Sequence, residues 1–178
     1  MTQKDDSIRQ PSSTGLPVWT AFGLGAILIV VDLGTKKLAT AHLPYGETVQ
    51  TAVPFLSWKL TSNTGGHYLF GQIGEWVPQR VYMAVAGAVV MLFVVFLARN
   101  ARRLHVSPLR AVHMGLIAGL LGSYGNSLEA VLTGKVTDFF VVRPFPWPSN
   151  LSDQFLTLSQ LLVLLWWFLS TRPGDDRP

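Results

Sequence analysis

Residues 81–98 read Val81-Tyr-Met-Ala-Val-Ala-Gly-Ala-Val-Val-Met-Leu-Phe-Val-Val-Phe-Leu-Ala98, with no charge and no proline. A helix needs roughly 20 mostly apolar residues to cross a bilayer core, so this stretch predicts a membrane span. Three more stretches qualify on either side of it. The expected spans are about 17–40, 79–98, 111–131 and 152–170. The first starts near Leu16, runs through Trp19, Phe22 and Ala26 to Val31, and carries Asp32, Thr35 and Lys36 within its apolar pattern. It has no small-residue cleavage site and is expected to be retained rather than removed as a leader. The third has Gly115, Gly119, Gly122 and Gly125 at near-helical spacing, which suits close backbone contact between membrane helices.

Composition agrees with this reading: 49% of the 178 residues are hydrophobic and 13% charged, against roughly 25% charged in a soluble domain. One domain is expected over 16–170, with polar tails at 1–15 and 171–178. The net charge of +4 collects at the ends of apolar runs, with no basic stripe interleaved with aromatics, so no nucleic-acid partner is expected. With no cysteine, disulfides, thiolate metal sites and a cysteine nucleophile are excluded. His42, His67, His105 and His113 lack ligand spacing backed by carboxylates, and neither a metal nor another cofactor is expected.

Orientation follows from the connections. Arg99, Arg102, Arg103 and Arg110 lie between the second and third spans, whereas 42–78 balances Lys59 with Glu47 and Glu75. The arginine connection is expected in the cytoplasm with both termini, and 42–78 and 132–151 outside. The run Thr48-Val-Gln-Thr-Ala-Val-Pro-Phe-Leu-Ser-Trp-Lys-Leu-Thr61 predicts a small sheet. Ile73, Trp76 and Val77 with Gln72, Glu75 and Gln79 suit a short segment on the bilayer surface. Phe139 to Ser149, rich in Phe, Pro and Trp, suits an interfacial anchor. The predicted class is an all-α membrane protein: a four-transmembrane-helix bundle with a small extracytoplasmic β-sheet between the first and second helices.

Ionisable groups inside membrane spans are costly and mark function or a partner. Asp32, Glu129, Asp138 and Asp153 all fall in one outer layer, as do Asn63, Asn126 and Asn150, whose amides can orient carboxylates. Two aspartates within hydrogen-bonding distance share a proton, so one can activate water while the other donates to a carbonyl oxygen. Each acid also has a structural reading. Asp32 and Lys36 are one helical turn apart and can pair within the helix. Asp153 can serve the dipole of the fourth helix, with Asn150 or Ser152 as its cap. Glu129 can simply be solvated.

At these residues the chain resembles the lipoprotein signal peptidase (signal peptidase II) family, from about residue 26 to about 165. Asp32-Leu-Gly-Thr35-Lys36, Phe55-Leu-Ser-Trp58 with Asn63-Thr64-Gly65, Gly125-Asn126, Val136-Thr-Asp138-Phe139 and Ser149-Asn150-Leu-Ser-Asp153 match its motifs in family order. Glu129-Ala130 stands where the family usually has Asp-Arg, which lengthens a carboxylate and removes a guanidinium. The resemblance implies a bacterial plasma-membrane peptidase that cuts prolipoproteins before a diacylglyceryl-cysteine, with Asp138 and Asp153 as its catalytic dyad. Asn63, Gly65, Asn126, Glu129 and Asn150 would orient the dyad or bind substrate, and Asp32 and Lys36 would brace the first helix. A monomer among membrane lipids is expected. Two other readings stay open: a relative that binds lipoproteins or lipopeptides without cutting, and a transporter, which would require helices broken near the midplane.

Overall fold

The computed structural model describes residues 17–64, 77–101, 104 and 107–171. Among them, four helices and three strands follow in the order α1 (Val18–His42), β1 (Thr48–Gln50), β2 (Leu56–Asn63), α2 (Gln79–Ala101), α3 (Ser107–Thr133), β3 (Val136–Val142) and α4 (Leu151–Ser170). The expected surface segment around Ile73 and Trp76 lies mostly outside the described residues, as do both tails.

Three helices are long and apolar enough to cross a membrane: α1, α2 and α4. Their outward faces carry exposed Val30, Leu92 and Leu164, a belt that water would disfavour and hydrocarbon would not. Helix α3 is different. At 27 residues it is the longest, yet it carries Arg110, His113, Asn126 and Glu129, and it packs against each of α1, α2 and α4. A helix enclosed by its neighbours meets little lipid, so its sequence can afford polar groups that face protein. Leu116, Ile117, Ala118, Leu120 and Leu121 of α3 form the core with Ala21, Val94 and Leu97.

The glycines of α3 explain its close packing. A methyl group at Gly119 would collide with Ser159 Oγ, and one at Gly122 would lie 2.8 Å from Phe155 and 2.9 Å from Leu28. These positions let α1 and α4 approach the α3 backbone. All four helices run unbroken through the residues described, unlike the interrupted helices that the transporter reading required.

The expected sheet between the first two helices is real but incomplete as read. It is antiparallel, ordered β1-β2-β3, and its third strand comes from the connection between α3 and α4. The β-branched and aromatic run Val136-Thr-Asp-Phe-Phe-Val-Val142 pairs with β2, so Asp138 lies on a strand and not in a loose connection. The register places Trp58 opposite Phe140 and Thr61 opposite Asp138, slipping between them in the manner of a β-bulge. Ala39, Leu60, Phe139 and Phe140 bury the sheet against the end of α1.

Candidate active site

The chain after β3 turns and comes back along it. Phe139 N and Phe140 N both donate to Ser149 O, and Ser149 N returns a bond to Phe140 O at 2.8 Å. This return sets Asn150 beside Asp138 just as α4 begins. Asn150 is the N-cap of α4: its Oδ1 accepts from Asp153 N at 3.1 Å, and Asp153 Oδ2 accepts from Asn150 N at 3.1 Å. The reciprocal pair is a capping box, with aspartate in the place more often held by glutamate. The cap reading of Asp153 is therefore correct, and Asn150 is the cap rather than Ser152.

The cap also reaches the other acid. Asn150 Nδ2 donates to Asp138 Oδ1 at 2.6 Å, and Asn150 is fully buried. One asparagine thus holds Asp138 with its amide nitrogen and the backbone of Asp153 with its amide oxygen. Asp153 Oδ1 accepts in addition from Asn126 Nδ2 at 2.8 Å. Burial, then the neighbouring charge of Asp153, pushes the Asp138 carboxyl up to about 7, against the opposing donor from Asn150 and the charge of Lys36.

Behind the two aspartates lies a buried charge cluster. Lys36 Nζ is 2.8 Å from Asp32 Oδ2 and 3.0 Å from Glu129 Oε2, and it donates to Asn126 Oδ1. The expected Asp32–Lys36 pair exists, but it does more than brace α1. Through Asn126 it connects to Asp153, and through Glu129 to β3. Asp32 Oδ1 accepts from Ser152 N at 2.9 Å, which ties α1 to the first turn of α4. Gly125 makes this possible: a methyl group there would strike Asp32 Oδ2 and lie 2.6 Å from Ser152 Oγ.

Glu129 is not solvated. Its carboxylate accepts from Thr137 Oγ1 at 2.6 Å and from Thr137 N at 3.1 Å, besides pairing with Lys36. The residue beside Asp138 on β3 is thus tied to the charge cluster. Ala130 is fully buried. Lys135 and Arg143, the cations at the two ends of β3, are both exposed.

Asn63 pairs opposite Val136 at the end of β2, two residues along the strand from Thr61, which stands opposite Asp138. Gly65 lies outside the described residues. Sequence reasoning missed Thr137 and undervalued Ser152. For Thr137 the only signal is its place next to Asp138. Ser152 reads in sequence only as a candidate cap, yet its hydroxyl donates to Gly122 O at 3.1 Å while its N–H serves Asp32. The two described histidines bond to helix carbonyls, His42 to Leu38 O and His113 to Leu97 O.

Residues 24–169 match the family model described as signal peptidase (SPase) II. A lipoprotein signal peptidase of Acinetobacter baumannii is 36% identical over 153 residues, covering 83% of this chain and 81% of the relative. One from Chlorobium luteolum is 31% identical over 156 residues, covering 81% and 88%. A bacterial membrane enzyme solved by the in meso method superposes with a TM-score of 0.70 at 20% identity, over 90% of this chain and 94% of that one, a likeness of fold. The non-cleaving alternative finds no support among these relatives.

Proposed function

The chain belongs to the signal peptidase II family, and from that membership we propose that it is a membrane aspartic endopeptidase removing signal peptides from prolipoproteins that carry a diacylglyceryl-cysteine. The observation that carries this reading is the single buried side chain of Asn150 joining Asp138 on β3 to Asp153 on α4. The proposed setting is a bacterial inner membrane, with residues 16–170 as one peptidase domain. In it α3 also spans the membrane and brings the spans to four, both termini face the cytoplasm, and the aspartates lie near the outer surface. The arginine-rich connection after α2 supports that orientation.

The two acids take different roles because their donors differ. Asp153 receives Asn126 Nδ2 and Asn150 N, which suit a carboxylate, whereas Asp138 receives Asn150 Nδ2 and sits buried beside a charge. At rest Asp138 holds the shared proton and Asp153 the charge. Asp153 removes a proton from water as the oxygen attacks the scissile carbonyl carbon, and Asp138 gives its proton to the carbonyl oxygen. A neutral tetrahedral diol results. Its collapse breaks the C–N bond: Asp153 passes its proton to the leaving nitrogen, and Asp138 recovers one from the diol hydroxyl. Lys36 fixes Asn126 and thereby the base.

Paired assays on one prolipoprotein, with and without its diacylglyceryl group, test the substrate assignment. Cleavage confined to the lipidated form is expected. Equal cleavage of both forms would remove lipid recognition from the proposal.

A further inference from the structure

The end of the bundle remote from the aspartates carries a cleft of about 810 Å³ where the start of α1 meets the end of α2 and the start of α3. Its walls combine two kinds of surface. Val18, Phe22 and Val95 supply apolar surface, while Arg99 of α2, Arg110 of α3 and Trp19 line the same cleft; Arg110 Nη1 also donates to Leu104 O at 3.4 Å. Among the described residues, no carboxylate lines it. Trp19 is 72% exposed, as suits an indole lying at the level of lipid headgroups.

We propose that this cleft is a binding site for one anionic phospholipid, its phosphate between Arg99 and Arg110 and an acyl chain along Val18, Phe22 and Val95. Two cations beside apolar surface complement a lipid with an anionic headgroup. Guanidinium groups match phosphate oxygens in forked hydrogen bonds. Basic pockets between membrane helices on the cytoplasmic side hold anionic headgroups, each cation near the surface adding measurably to retention. A zwitterionic lipid offers the same chains and the same phosphate, but brings a cation of its own toward the two arginines. The site touches none of the groups around Asp138 and Asp153. It would anchor α1 to the α2–α3 pair at one end of the bundle, while the Asp32–Lys36–Glu129 cluster ties α1 to α3 at the other.

The test is native mass spectrometry of the full-length protein in detergent, titrated with phosphatidylglycerol, phosphatidylcholine or diacylglycerol of identical acyl chains. Phosphatidylglycerol is expected to be retained preferentially, one molecule per protein. Arg99→Gln and Arg110→Gln should each weaken that retention roughly fivefold, and Arg99→Lys should keep most of it. Should a glutamine variant fail to fold, Val95→Trp, which fills the apolar wall and leaves both charges, should also displace the lipid. Equal retention of the three lipids, or a phosphatidylglycerol preference that survives these substitutions, would overturn the proposal. The readout needs no cleavage, so it stands or falls apart from the peptidase reading.

Discussion

Asn150 donates to Asp138 Oδ1 at 2.6 Å through the same amide that caps Asp153 at the start of α4. The cap and the link to the second acid are separable by substitution. Ser is about as good an N-cap as Asn, but its side chain is too short to span both groups. Asn150→Ser is therefore expected to keep the cap while losing the bond to Asp138, and so to lower the thermal unfolding temperature in detergent less than Asn150→Ala does. Losing a hydrogen bond to a charged or acidic group costs about 1.5–3 kcal/mol, so turnover should fall roughly tenfold to a hundredfold. Asn150→Ala should lose both stability and turnover.

The buried lysine yields a stability prediction. Lys36 is only 3% exposed and pairs with both Asp32 and Glu129. Lys36→Met strands two carboxylates, and breaking a buried pair costs about 3–5 kcal/mol. A steep loss of unfolding temperature is expected, partly restored by adding Asp32→Asn. A Lys36→Met protein as stable as the parent would refute the pairing.

Asp138 sets the pH dependence. Its carboxyl is raised to about 7 from 3.8, so the folded protein holds that proton more tightly than the unfolded chain. This stabilising contribution is complete below pH 4 and is lost as pH rises through about 7. Asp138→Asn should flatten the decline of stability between those limits. In the parent, cleavage should fall above about pH 7, where Asp138 no longer has a proton to give.

Gly125 tests the packing. A Cβ at this position meets Asp32 and Ser152, both fully buried and bonded to each other. Overpacking of this kind costs about 1–3 kcal/mol. Gly125→Ala should lower stability by that amount in a chemical unfolding series, whereas Gly23→Ala, which has open space around it, should not.

Much of this was legible in sequence. Helix boundaries came within a few residues because long apolar runs between charged connections leave little choice of register. The layer of Asp32, Asn126, Glu129, Asn150 and Asp153 followed from depth along each helix. The third strand was not legible: Phe139 to Val142 is apolar and aromatic, a composition shared by interfacial anchors and buried strands. Only pairing with β2 distinguishes them. Lys36 illustrates the other limit. Spacing showed its i, i+4 partner Asp32 on the same helix, but its bonds to Asn126 and Glu129 arise from α1 packing against α3, which no local pattern encodes.

The dyad itself is tested most directly by following product masses from a diacylglyceryl-modified prolipoprotein incubated with the purified protein or with Asp153→Asn. The parent is expected to release the signal peptide and leave the modified cysteine at the new N-terminus. Positioned acid–base groups contribute roughly 10²–10⁴-fold in rate, so the variant should be slower by about that factor while unfolding at nearly the parent temperature. Full turnover by Asp153→Asn, or a parent that binds the substrate and never cuts it, would contradict the assignment of Asp138 and Asp153.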